Sequence, residues 1–95
     1  MIVRIVKMTF EENKVEEFLS LFEEVYPVIS KFEGCRELKL LQVTDTKNVL
    51  MTYSVWENEE YLDHYRFSSF FKDTWTKTKK LFSAKAEAWS LEAIK

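Results

Sequence analysis

His64 stands between Tyr61 and Tyr65 and is the only histidine in a chain of 95 residues. Its unperturbed titration falls near neutral pH, so His64 is the first candidate for a general base. In that role it would take the proton of a bound phenol and leave an electron-rich anion. Tyr65, beside it, is the second candidate for catalysis. Tyr53, Trp56, Tyr61, Phe71 and Trp75 are the candidates for substrate binding, as aromatic faces on which a planar ligand stacks. Tyr53 and Tyr65 carry a further reason, because a buried phenol needs a hydrogen-bond partner and a substrate oxygen supplies one. The same residues also fit a purely structural role, with the aromatic rings as core and the imidazole bonded to a neighbouring carbonyl.

Other chemistries fare worse. One His and one Cys cannot build a zinc site of the usual kind, and no acidic cluster is spaced for a divalent ion, so no metal is expected. Cys35 reads as a small core residue rather than a nucleophile, and no Ser, His and acid arrangement is recognisable. A single glycine leaves no phosphate-cradling loop. The net charge of −2 argues against nucleic acid and anionic lipid as partners. Met1-Ile2-Val3-Arg4-Ile5-Val6 is too short and too interrupted for a signal or membrane segment. A lone cysteine suits a reduced compartment, and a cytoplasmic location is expected.

The elements that must position these residues follow from periodicity. Residues 2 to 10 read as a strand with apolar side chains on both faces. Val15, Phe18, Leu19, Phe22, Val25, Ile29 and Phe32 recur at helical spacing, with Asn13 and Glu16 as a capping pair. Pro27 predicts a kink or a tightened last turn, and Gly34 a left-handed C-cap. Cys35 to Val43 and Val49 to Trp56 read as a hairpin around the polar turn from Thr44 to Asn48. Asn58 caps a helix to Arg66, Ser68 or Ser69 caps another that carries Phe70, Phe71 and Trp75, and Glu87 to Ile94 reads as the last strand. The order is that of an α+β, ferredoxin-like βαββαβ domain with an antiparallel sheet, one domain over residues 1–95. Helices cover one face of such a sheet. The other face is also apolar, with Met51, Tyr53 and Val55 alternating along one strand, which predicts a homodimer through the sheet.

Phe32-Glu33-Gly34-Cys35, then Tyr53-Ser54-Val55-Trp56-Glu57-Asn58-Glu59-Glu60, then Leu62-Asp63-His64 with Ser69-Phe70-Phe71, together resemble the antibiotic biosynthesis monooxygenase (ABM) domains of the dimeric α+β barrel superfamily. The resemblance covers nearly the whole chain. It implies two chains whose sheets pack into a barrel, each holding a pocket between sheet and helices. Members of that family oxidise aromatic polyketide-like substrates with O2 and without metal or flavin; others degrade haem or handle quinols and small aldehydes. ABM domains often place their histidine one residue later than His64, where this chain has Tyr65. Haem-degrading relatives carry Asn, Trp and an iron-ligating His at positions that fall here on Val6, Tyr65 and Trp75.

The expectation is therefore a cofactor-independent monooxygenase for a small aromatic or quinol-type substrate, with no cofactor. The alternative is a non-catalytic ligand-binding or interaction module of the same fold. Haem degradation ranks behind both.

Overall fold

Strand-forming residues at a two-residue period and apolar residues at a helical period divide the chain as the sequence predicts. The computed structural model describes residues 1–95. Strand β1 (Ile2–Thr9) leads through a 3-10 turn at Glu12–Lys14 into helix α1 (Val15–Ser30). The hairpin β2 (Cys35–Gln42) and β3 (Val49–Trp56) follows, then helices α2 (Glu59–Arg66) and α3 (Ser69–Lys79), then β4 (Glu87–Leu91). All strand pairs are antiparallel in the order β2-β3-β1-β4, which is the ferredoxin-like α+β arrangement.

The core lies between α1 and the inner face of the sheet. Met8, Phe10, Leu38 and Leu50 from the strands meet Phe18, Phe22 and Ile29 from the helix, with Leu81 closing the end. Phe10 is fully buried, and its ring stacks on Phe18 at 4.3 Å and leans on Phe82 at 5.3 Å. Burying a ring of that size stabilises the fold by about 1.5–3 kcal/mol. Its backbone is clamped as well: the Phe10 N–H donates to the Asn48 carbonyl at 2.9 Å, and the Asn48 amide returns a bond to the Phe10 carbonyl at 2.9 Å.

The ends of the helices differ from expectation in two places. Asn13 lies inside the 3-10 turn and does not cap α1, whose N-cap position is Lys14 with no side-chain bond. Gly34 is not the cap of α1 either, because the helix ends at Ser30 and Lys31. Pro27 sits one turn from that end, and the N–H groups of Lys31 and Phe32 reach back three residues to Val28 and Ile29, which tightens the exit. The expected left-handed backbone does occur at Gly34, with φ of 85°, but in the turn that enters β2. There its carbonyl accepts from the Glu57 N–H at 2.8 Å, and α2 passes so close that a Cβ would collide with the Tyr61 side chain.

Strand β4 is shorter than the sequence suggests, stopping at Leu91. Register puts Ile5 between Tyr53 and Trp89, and Val3 between Val55 and Leu91, all on the face away from the helices. Trp89 and Leu91 remain 44% and 48% exposed there, enough to leave an apolar stripe uncovered in one chain.

Gly34→Ala is expected to destabilise the protein by about 2–4 kcal/mol, since it adds both a left-handed backbone penalty and an overpacked contact with Tyr61. The midpoint of chemical denaturation measures this, and a loss under 1 kcal/mol (about a fivefold change in the folding constant) would show that the turn has room to relax.

Candidate functional site

Between the inner face of the sheet and the three helices lies a cavity of about 290 Å3. It is built from alternate residues of each strand: Arg4, Val6 and Met8 of β1, Thr52, Ser54 and Trp56 of β3, Leu38 of β2 and Ala88 of β4. Leu62, Tyr65 and Arg66 of α2, Phe71, Thr74, Trp75 and Thr78 of α3, and the apolar stripe of α1 complete it. The volume lies near the lower edge of the ~300–1,000 Å3 usual for small-molecule sites, which selects for a small ligand.

The aromatic wall is a relay of ring contacts. Trp56 stacks on Tyr65 at 5.1 Å, Tyr65 meets Phe71 edge-on at 5.1 Å, and Phe71 stacks on Trp75 at 5.9 Å with the planes only 11° apart. Local structure sets this geometry. Asn58 caps α2 by accepting from the Tyr61 N–H at 3.1 Å, and Ser68 caps α3 by accepting from the Phe71 N–H at 3.1 Å. The same Ser68 hydroxyl donates to the Tyr65 carbonyl at 2.6 Å, so one side chain fixes the Tyr65 and Phe71 backbones against each other.

The cavity brings together Trp56, Tyr65, Phe71 and Trp75 among the residues singled out in the sequence, and it excludes three. His64, the candidate base, is exposed with its ring 6.5 Å from Phe32 and does not line the cavity. The helical turn explains this: at about 100° per residue, His64 is turned some 200° from Leu62, which points inward. Tyr61 lies over Gly34 outside the cavity, where Glu33 first and then Glu57 hold its phenol above the usual value. Tyr53 and Trp89 both pair with Ile5 on the far face of the sheet, because odd-numbered residues of β3 point away from the helices. The Lys39 ammonium sits over the Tyr53 ring at 5.8 Å.

Sequence reasoning missed Arg4 and Arg66. Both were legible in principle, Arg4 by sharing the inward parity of Val6 and Met8, and Arg66 by standing one helical turn after Leu62. Arg4 donates to the Ser90 hydroxyl at 3.0 Å, and Arg66 stands 3.5 Å from Asp63. Burial, and then the neighbouring Arg66, pull the Arg4 guanidinium below its ordinary value, while Asp63 acts the other way.

The chemistry these side chains offer is donation. No carboxylate and no imidazole lines the cavity. Burial holds the Tyr65 phenol protonated well above the ordinary tyrosine range, with Cys35 a smaller cause. The Tyr65 hydroxyl makes no hydrogen bond to the protein, although every fully enclosed side-chain polar atom has a partner. The Cys35 thiol is the neighbouring group that acts on it. Ser54, in contrast, is already used: it accepts from the Trp56 indole N–H at 3.0 Å. The only imidazole lies outside, and no group of three His, Cys, Asp or Glu side chains is placed to hold a metal ion. Cys35 is half-buried, its thiol pushed up by burial.

A ferredoxin-like sheet with helices on one face and an aromatic cavity between them defines an α+β, ferredoxin-like domain. The sequence signature of the antibiotic biosynthesis monooxygenase family matches residues 1–77, and the chain belongs to that family. Among solved structures it is similar to a conserved protein from Methanosarcina mazei Go1, with a TM-score of 0.89, 24% identity, and coverage of 96% of this chain and 91% of that one. An antibiotic biosynthesis monooxygenase matches with a TM-score of 0.92 at 13% identity, covering 100% of both chains. SnoaB, a cofactor-independent oxygenase from Streptomyces nogalater, matches with a TM-score of 0.88 at 18% identity, over 99% of this chain and 93% of that one. At these identities the structures speak for the fold. A sequence comparison with curated proteins finds no match.

Tyr65 makes stability depend on alkaline pH. Its folded-state value is raised, so its contribution is complete below the unfolded value of ~10 and is lost as pH rises above that. Tyr65→Phe is expected to flatten the fall in denaturation midpoint above about pH 10 relative to the parent, with Tyr61 unchanged in both. Parallel alkaline limbs would mean that the phenol ionises in the folded state without penalty.

Proposed function

We propose that this protein is a cofactor-independent monooxygenase that binds a small, planar phenol or quinol in the cavity and works as a homodimer in the cytoplasm. The observation that carries the reading is the unpartnered Tyr65 hydroxyl set into a wall of stacked rings. The ligand's ring lies against Phe71 and Trp75, with Trp56 behind Tyr65 as backing, and its oxygen accepts from Tyr65, which burial keeps in the donor form. Membership of the monooxygenase family and likeness in fold to a cofactor-independent oxygenase support the reaction class.

A phenol with a ring C–H ortho or para to its oxygen, which is a CH2 in the keto tautomer, is its own reductant. Ionisation leaves an anion that passes electrons to O2, a C–O bond forms to give a hydroperoxide, and loss of water leaves a carbonyl. One oxygen atom stays in the product and the other departs as water, with no external electron source. The apolar walls exclude water from the anion, and Tyr65 holds its oxygen in place. His64, outside the cavity, has no part in this step.

The homodimer rests on the far face of the sheet, where Val3, Ile5, Met51, Tyr53, Val55, Trp89 and Leu91 form one apolar surface. A second copy is the cover that hides it. No helix is long and apolar enough to cross a membrane.

One observation favours a second reading, a binding module without turnover: the cavity holds no carboxylate or imidazole to take a proton.

Oxygen uptake with hydroxylated naphthalenes and anthrones, run under isotopically labelled O2, separates the two. An oxygenase incorporates one labelled atom faster than the uncatalysed reaction; Tyr65→Phe lowers kcat/KM by about tenfold, as expected for a lost hydrogen bond, and His64→Ala leaves it within about twofold. Saturable binding with no uptake above background would establish the module instead. For the dimer, sedimentation at micromolar concentration is expected to give twice the chain mass, and Ile5→Lys to give the monomer. A parent protein that sediments as a monomer removes this part of the proposal.

A further inference from the structure

The polar end of the cavity carries two like charges and a single carboxylate, Asp63, near them. Arg4 comes from β1 and Arg66 from α2, on opposite walls, and both line the cavity. Asp63 is the one carboxylate within salt-bridge reach of either, at 3.5 Å from Arg66, while Arg4 has only the neutral Ser90 hydroxyl. Each guanidinium presents five N–H donors and accepts nothing, so most of the donors at this end are unspent. Burial first, and then the neighbouring Arg66, pull Arg4 below its ordinary value, while Asp63 acts the other way. Arg4 is also drawn partly out of water beside an apolar cavity, and a bound anion relieves that cost together with the repulsion.

Placement makes the pair useful. Arg4 lies opposite Ser54 in the β1–β3 register, two residues before Trp56 on the same face, and Arg66 follows Tyr65. The donors thus stand at the edge of the stacked rings.

We infer that Arg4 and Arg66 form an anion-recognition pair, and that the ligand is a planar aromatic acid whose rings lie against Tyr65, Phe71 and Trp75 while its carboxylate is held by both guanidiniums. This rests on the cavity being the ligand site, as under Proposed function, and adds the substrate class. Paired forks suit a carboxylate, whose two oxygens accept side by side. The charge also acts on the ring, because two cations at its edge stabilise a phenolate formed next to the carboxylate.

The test is binding of two matched probes, hydroxynaphthoate and naphthol, followed by quenching of tryptophan fluorescence at neutral pH. Hydroxynaphthoate is expected to bind about tenfold more tightly or better, and added salt is expected to weaken the acid alone. Arg66→Gln, on the flank of α2, is expected to erase that preference and leave naphthol affinity and melting temperature unchanged; Arg66→Glu reverses the preference. Arg4→Gln should match Arg66→Gln, and if it fails to fold, the two Arg66 variants decide the matter. Equal affinity for both probes, or equal weakening of both by Arg66→Gln, overturns the anion pair while the cavity stands as a ligand site. If neither probe binds, the cavity reading falls and the anion pair with it.

Discussion

The buried indole of Trp56 is the contact on which sheet, helices and cavity all depend. It is fully buried at the end of β3, opposite Ile2 on one side and Cys35 on the other, so it closes both strand pairs at that end. An indole N–H sealed there without an acceptor would cost about 1–3 kcal/mol. Ser54 supplies the acceptor at 3.0 Å, two residues back and therefore on the same face. The chain then leaves the sheet at once: Glu57 donates to Gly34, and Asn58 opens α2. The ring of Trp56 receives that helix by stacking on Tyr65 at 5.1 Å.

That arrangement has a consequence for the sheet. Along β3 the inward residues are Leu50, Thr52, Ser54 and Trp56, while the outward ones are Val49, Met51, Tyr53 and Val55. The outward set is the more apolar. A sheet folded only to bury grease would turn the other way, so the small polar residues on the inner face mark a space that is not simply core. They are short, which leaves volume, and hydroxylated, which leaves Ser54 free to serve Trp56. The apolar outer face is what a second layer would need.

The sequence discloses the fold more fully than the site because periodicity and chemistry are not equally local. Strand and helix limits came from the spacing of apolar residues, and the caps at Asn58 and Ser68 from residue type alone. Where an end was misread, as at Asn13 and Gly34, the signal was right in kind and displaced by a few residues. The reason is that a turn before α1 and a close approach of Tyr61 to Gly34 depend on contacts distant in sequence. The side of the sheet is a different problem. Alternation separates Tyr53 from Trp56 and sets Met51, Tyr53 and Val55 on the face away from the helices, yet the phenol's need for a partner still put Tyr53 among the cavity candidates. His64 attracted attention as the only imidazole, yet the helical period that placed Leu62 and Tyr65 inward already turned it out. Arg4 and Arg66 were overlooked because charge was read as surface.

The electrostatics of the cavity follow from what is missing between those arginines and the tyrosine. With no carboxylate in the lining, nothing inside competes for their N–H groups, and with Tyr65 held neutral by burial, the phenol adds a donor and no negative charge. A neutral ligand entering such a space would satisfy the stacked rings and leave the guanidiniums short of acceptors. An anion satisfies both, and it gains more from them than it would in water because the apolar walls weaken screening. The same field favours the ionised form of any acidic hydroxyl held beside it. Proton loss from the substrate then does not require a base among the lining side chains: a cavity that binds the anion more tightly than the neutral form lowers the substrate's own pKa, and water can carry the proton away.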